Sequence, residues 1–338
     1  MAPEEAANKI SMVAPITQGR RNTQRKVMIM RMKLLAAVLF LSLSAHAAAG
    51  DDYEIRLHRP MRAGDSFRIS ATGSHAEKTV ITAGGKLLRD DRVNYEAALD
   101  SIVTITAADR DGKPTRESVT VLKCEKTEAF DRKALLPRGT VVVASLKGKD
   151  EVFEIDGKPV DREVHDLLGI FITLSKEGGT DDEIFGTMKR RHVGEAWDVN
   201  AELAARDLDD LKLGVRKENV SGKTTLEKVV RAEGTDCLQI SAEIVVGKLA
   251  PPLPPGFSVE SSLIHANFSA KYPFDASAQS PEGTMGLSLT FVARGKSAPD
   301  APEIIIESSL ERRVSEKVES VREGKRPDQR LDSQPKPL

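Results

Sequence analysis

The stretch "RVNYEAALDSIVTITA" (92–107) decides the fold class. Val93, Tyr95, Ala97, Leu99, Val103, Ile105 and Ala107 share one parity, and Asn94, Glu96, Asp100, Thr104 and Thr106 share the other. Period-two alternation sustained this long predicts an extended antiparallel strand with one buried face. The pattern returns at Met285, Leu287, Leu289, Phe291 and Ala293, and again at Ile264, Ala266, Phe268, Ala270 and Tyr272. "GTVVVASL" (139–146) and "APEIIIESSL" (301–310) are apolar enough for central strands. Between such runs lie "AGGK" (83–86), "AEGT" (232–235) and two copies of "DGKP" (111–114 and 156–159). Asp-Gly and Gly-Gly pairs supply the positive φ that tight hairpins need.

Helical signals gather in the middle of the chain. Val164, Leu167, Leu168 and Phe171 recur at helical spacing behind Asp161. Thr180 and Glu183 form a capping-box pattern, and a third helix is expected to start at Asn200 and run toward Lys212 and Gly214. The expected fold is therefore mainly β: long, curved antiparallel sheets in two similar half-barrel or sandwich-like modules, with a few helices between them.

The two modules are suggested by a local repeat. "RAGDSFRISA" (62–71) aligns with "HVGEAWDVNA" (192–201), matching Gly64 with Gly194, Asp65 with Glu195, Phe67 with Trp197 and Ile69 with Val199. The expected organisation is an N-terminal extension (1–27), a signal peptide (28–49), a first β-module (50–160), a helical connector (161–190), a second β-module (191–315) and a disordered tail (316–338).

The leader reading rests on "LLAAVLFLSLSAHAAAG" (34–50), which follows Arg31-Met32-Lys33. A basic flank, a short apolar run and a small-residue end are the parts of a secretory signal. The run is too short for a membrane span, which needs about 20 apolar residues. Cleavage is expected after Ala47 or Ala49, and Met28, Met30 or Met32 could serve as the start. The mature chain is thus expected to be secreted or periplasmic, with no transmembrane segment. Export permits a bridge between Cys124 and Cys237, the only two cysteines. Two separate thiols are the stronger expectation, because a chain of this length buries a core without staples. Cys237 is out of phase with Leu238, Ile240 and Ala242, so it is expected to face away from their core.

"DDEIFGTMKRRHVGEAWDVNAELAA" (181–205), together with "PPLPPGFSVE" (251–260), resembles a family of uncharacterised secreted bacterial proteins of the planctomycete type. The likeness covers most of the mature chain. It implies export and a β-rich fold, and it implies no reaction, ligand or site.

Composition narrows the chemistry. Fifty basic and 51 acidic residues give a net charge of −1, so no global field draws nucleic acid. Aromatic residues make up only 4%, few for stacking bases or sugars. No His-Glu-x-x-His or Gly-x-Ser-x-Gly motif occurs. "SGKTT" (221–225) ends like a phosphate loop but has Lys217 where the first glycine belongs, and Asp109–Gly112 reads as a hairpin rather than a calcium loop. Asp161 and His165 are four apart and read as a surface pair. No catalytic, cofactor-binding or metal-binding residue is assigned, and no cofactor is expected. His192, Glu195 and Asp198 crowd around the only tryptophan, Trp197, and resemble a dispersed hydrolase site. The parity of Trp197 with Val199 makes a core aromatic at a module boundary the better account, with His192 outside the core. The leading expectation is a non-enzymatic envelope protein that binds or scaffolds, with a hydrophobic small molecule or an envelope protein as partner. A structural module assembling through an exposed strand edge is the alternative. The apolar faces are expected to pack on each other or on helix 161–175 rather than to enclose a cavity.

Overall fold

The computed structural model describes residues 51–148, 150–174, 178–209 and 213–321. The N-terminal extension, the signal peptide and residues 322–338 of the tail lie outside them. Strands β1 (Ser66–Ala83), β2 (Lys86–Ala108), β3 (Pro114–Glu128), β4 (Asp131–Ala134), β5 (Val141–Lys147), β6 (Asp150–Ile155) and β7 (Lys158–Pro159) come first. Helices α1 (Arg162–Phe171) and α2 (Asp181–Phe185) follow, then β8 (Ala196–Asp198) and helix α3 (Ala201–Asp209). The chain closes with β9 (Val220–Ala232), β10 (Thr235–Gly247), β11 (Phe257–Pro273), β12 (Glu282–Gly295) and β13 (Ile304–Ser320).

All strands belong to one antiparallel sheet in the order β7-β6-β5-β3-β2-β1-β13-β12-β11-β10-β9-β8, with β4 on β3. The two expected sets of strands share this one sheet. The first long strand, β1, pairs with the last, β13, from Phe67↔Ser320 to Ala83↔Ile304. That ladder fuses the two halves into one sheet, which does not close on itself. It also corrects the expected tail: residues 316–320 are strand, held by β1 on one side and, at Glu316 and Lys317, by β12 on the other.

Local chemistry produces these elements as the sequence implies. Gly84 and Gly85 (φ 55° and 78°) turn β1 into β2, Asp156 and Gly157 (φ 50° and 73°) turn β6 into β7, and Glu233 and Gly234 (φ 50° and 83°) turn β9 into β10. The Asp161 carboxylate accepts from Val164 N and caps α1, and α2 carries the full Thr180/Glu183 capping box. Asn200 Oδ1 accepts from Leu203 N at the start of α3.

The two aligned decapeptides make the same turn. Arg62 N donates to Asp65 Oδ2 at 2.7 Å, and His192 N donates to Glu195 Oε2 at 2.7 Å. Gly64 N donates to Ile105 O at 2.9 Å, and Gly194 N to Leu226 O at 2.7 Å. Ile105 N returns a bond to Asp65 O, as Leu226 N does to Glu195 O. Each turn therefore hands its strand to the next one in the same way, β1 to β2 and β8 to β9.

One face of the sheet is filled and the other is solvated. On the filled face, α1 brings Val164, Leu167, Leu168, Ile170 and Phe171 against Phe67, Leu99, Val119 and Phe153. On the other half, Ile184 and Phe185 of α2 and Ala204 and Leu208 of α3 pack on Trp197, Ile240, Phe268 and Phe291. Strand β1 serves both cores, giving Phe67 and Ala71 to the first and Ile81 to the second. Segment 53–57 joins the second core through Ile55 and Leu57, and its backbone pairs Tyr53 with Arg191.

Both cysteines are buried and free. Cys124 lies in the α1 core, where burial pushes its thiol up to about 12. Cys237 faces away from the core of Leu238, Ile240 and Ala242, as its phase implies, and is nonetheless fully buried. It lies at the start of β10, opposite Val230 and Pro273, and its thiol reaches Thr235 O. At that edge both faces of the strand are covered. Alkylation of the native protein should therefore be negligible at both thiols and become complete in denaturant. Rapid labelling of either thiol in the native state would contradict this burial.

Helix α1 crosses the sheet at Gly73. A Cβ there would lie 3.0 Å from Arg313 O, 3.1 Å from Ile170 Cγ2 and 3.3 Å from Phe171 Cε1. Gly73→Ala should destabilise the fold by roughly 1–3 kcal/mol through overpacking, read as a lower urea midpoint. An unchanged or raised midpoint would mean that α1 is not seated on this glycine.

Candidate functional site

Two groups of polar side chains lie on the filled face. The first lines a cavity of about 200 Å³ where the two halves meet. Its apolar wall is Leu57, Phe67, Ile69, Val103, Ile105 and Val318, so it draws on both partners of the β1–β13 ladder. Ile69 and Val318 stand directly opposite each other in that ladder. Its polar lining includes Arg59, Lys113, Glu117, Asp181, Asp207 and Glu316.

Each cation of this lining is already engaged. Arg59 Nη2 donates to Pro273 O at 2.7 Å, and its guanidinium lies 5.5 Å from the Tyr272 ring centroid. Burial pulls the Arg59 pKa down, while Tyr272, Asp182, Asp275 and Asp181 raise it. Lys113 Nζ donates to Gly178 O at 2.8 Å and to Gly179 O at 3.0 Å. Asp207 Oδ1 accepts from Gly179 N at 3.3 Å. These contacts tie the segment before α2 to the β2–β3 turn and to α3, and so build the rim.

Glu117 is the unexpected member. It is fully buried on β3, opposite Ile105 on one side and Ala144 on the other. A carboxylate loses favourable hydration when buried. A second inward carboxylate, Glu151 on β6, accepts from Leu174 N at 2.6 Å and pins the segment leaving α1. The signal for Glu117 was present in "ESVTV" (117–121), where an acid shares the parity of Val119 and Val121.

The second group lies under α1. Arg312 is buried and donates to His75 Nδ1 at 3.3 Å. The His75 ring stacks on Tyr95 at 5.0 Å, and the Lys126 ammonium lies 4.8 Å from the Tyr95 centroid. Accepting at Nδ1 places the imidazole proton on Nε2, which faces Glu77 at 3.8 Å. This group spans β1, β2, β3 and β13.

The sequence-flagged cluster around the tryptophan does not converge on a site. Trp197 is 5% exposed, and its Nε1 donates to Phe185 O at 2.7 Å. His192 is exposed, with Nε2 3.0 Å from Asp52, and Asp198 pairs with Lys223 at the surface. Asp161 and His165 also part: the first caps α1, and the second stands edge-on to Phe153 at 5.1 Å. "SGKTT" lies within β9, and Asp109–Gly112 forms the β2–β3 hairpin. No helix among the described residues is long and apolar enough to cross a membrane.

No family model matches the chain, and neither does any curated protein. Among solved structures, the chain is similar to a lipovitellin studied for its lipid–protein interactions, with 7% identity and a TM-score of 0.30. That match covers 78% of this chain and 26% of that one. An outer membrane channel from Pseudomonas putida F1 shares 8% identity at a TM-score of 0.15, over 77% of this chain and 100% of that one. OpdQ of Pseudomonas aeruginosa shares 8% at 0.17, over 75% and 97%. At these scores the likeness does not extend to a common fold.

The buried phenol makes stability depend on alkaline pH. Burial pushes the Tyr95 pKa up to about 12 from an ordinary value of 10.0. Below pH 10 the phenol is neutral in both states, and its contribution is fully present. Between 10 and 12 this phenol ionises only in the unfolded chain, so Tyr95 by itself removes about 1.4 kcal/mol per pH unit, or about 2.7 kcal/mol in all, in addition to the losses from the raised Cys124 and Tyr272. Denaturant midpoints should drop across this window, and Tyr95→Phe should make the drop smaller by about that amount. A drop of equal size in Tyr95→Phe would assign it elsewhere.

Proposed function

We propose that the protein is an exported, non-enzymatic binding module of the cell envelope, and that its seam cavity holds a small hydrophobic molecule. The observation that carries this reading is the cavity itself: an apolar wall from both halves, a polar rim, and a place on the filled face of the sheet. The leader-like segment 28–49 supports export. The cavity volume of about 200 Å³ sets the scale of the occupant. That is smaller than the roughly 300–1,000 Å³ of pockets that take drug-sized ligands, which suits a compact ligand or one short chain rather than a whole two-chain lipid. Elsewhere the apolar faces pack on helices, as sheets generally do.

Assembly through a strand edge is the second reading. The terminal strands β7 and β8 are only two and three residues long, but among the described residues 86–95 of β2 pair with β1 alone and 227–232 of β9 pair with β10 alone, which leaves edge backbone open to a partner strand.

The test is to purify the mature chain, extract it with organic solvent for mass spectrometry of co-purified molecules, and titrate it with 1-hexanol by saturation-transfer NMR. Hexanol should contact the cavity methyls. Ile69→Phe, which adds volume at the half-buried wall, should weaken that binding roughly tenfold or more while the circular dichroism stays native. No co-purified apolar molecule and no saturation transfer would refute the reading.

A further inference from the structure

We infer that the open edge of β2 is a self-recognition surface: two copies of this chain pair antiparallel through residues 86–95, about a two-fold axis at Asp90 or Asp91. This deepens the strand-edge reading and is independent of the cavity.

The backbone of 86–95 pairs with β1 on one side, and the β2–β3 ladder begins only at Glu96↔Thr127. A strand of that length spans roughly 30 Å. Apolar side chains stand in the open along it: Leu87 is 62% exposed, Leu88 38% and Val93 37%. At the end of this run lies the β3–β4 turn, where Ala129 and Phe130 hold left-handed backbone (φ 47° and 74°) and Phe130 is wholly exposed. A bulky residue in that conformation is strained, and its bare ring adds to the apolar surface at the edge.

The order of charge selects the partner. Leu88-Arg89-Asp90-Asp91-Arg92-Val93 reads alike in both directions: apolar, basic, acidic, acidic, basic, apolar. Antiparallel pairing of two copies sets this run against its own reverse. Facing residues in a ladder lie on the same face of the sheet. A two-fold axis that keeps both filled faces on one side therefore passes through a residue, not between two. That half-step turns a like-on-like alignment into a complementary one. An axis through Asp90 sets each Arg89 against the partner's Asp91. An axis through Asp91 sets each Asp90 against the partner's Arg92. Both give two cross-strand ion pairs, the favourable arrangement for facing residues. The one like-charged pair lies on the axis, and each of its carboxylates keeps an arginine of its own strand. Arg92 Nε and Nη2 donate to Asp90 at 2.9 and 2.8 Å, and Arg89 Nε donates to Asp91 at 2.6 Å. The leucine end of each copy then arrives beside Val93 and the Phe130 turn of the other. A net charge of −1 sets up no global repulsion between copies. The open edge of β9, 227–232, is shorter and has one exposed large apolar residue, Val229.

Sedimentation velocity of the mature chain from about 1 to 100 μM should show a monomer–dimer equilibrium with no larger species, because an isologous contact closes. Arg89→Asp with Arg92→Asp makes the run all acidic, and Asp90→Arg with Asp91→Arg makes it all basic. Each double variant alone should dimerise about tenfold or more weakly, and an equimolar mixture should recover to within about threefold of the native chain. Misfolding could not produce that rescue. Asp90→Cys or Asp91→Cys, whichever stands on the axis, should form an intermolecular disulfide on mild oxidation, with Cys124 and Cys237 buried and out of reach. A dimer indifferent to both charge variants, or one that cross-links through Val229→Cys instead, would overturn the inference. A chain that stays monomeric and cross-links at position 90 or 91 to a different protein in native cells would overturn self-pairing and keep the strand-edge reading. A monomer with no cross-link at either edge would overturn both, and hexanol binding would be untouched.

Discussion

The β1–β13 ladder is the constraint on which everything else rests. It joins the first long strand of the chain to the last. Through it, two sets of strands that each wind outward become one sheet with one filled face. Because the side-chain period is two, a one-residue slip in this ladder would send Phe67, Ala71, His75 and Ile81 to the solvated face together. It would also part Ile69 from Val318 and dismantle the cavity wall. Both hydrophobic cores draw residues from β1 and β13, so neither core can form its final packing before this pairing is in place. Contacts of such large sequence separation carry a high loop-closure cost and favour slow folding.

Much of this was legible in the residues. The alternation in 92–107 maps onto the buried positions of β2, from Tyr95 to Ile105. The capping pattern at Thr180, the helix start at Asn200 and the inward tryptophan all follow from local rules. The fusion of the two halves was not legible, because nothing in "SFRISATG" or "VSEKVESV" states that the two should be neighbours. Pairing partners are chosen by topology, whereas parity within a strand is chosen by local alternation. Cys237 shows the same limit. Its phase is outward, but the end of a strand is covered by whatever lies beyond it, and that information is tertiary.

The cavity was hidden for a related reason. Its wall comes from residues 57, 67, 69, 103, 105 and 318, which are separate in sequence and meet only across the seam. Only Glu117 carried a local signal, an acid on the parity of Val119 and Val121, and the reading of alternating strands passed over it. Two buried acids point inward in this sheet among the described residues: Glu151 accepts the Leu174 backbone N–H and fixes the exit of α1, and Glu117 lines the seam cavity.

The polar group under α1 bears on why the seam stays where it is. Arg312, His75 and Tyr95 occupy inward positions that apolar residues could fill at lower desolvation cost. They are adjacent in the ladder, since His75 lies opposite both Tyr95 and Arg312. A directional bond from Arg312 to His75, and a stacked ring beyond it, are satisfied in one register only. Apolar side chains would tolerate several. The group thus ties the β2–β1–β13 alignment to specific partners at the middle of the sheet. The cavity lies on those same three strands, a few residues further along. A polar lock placed there holds Ile69, Val103 and Val318 at the spacing that leaves the space open.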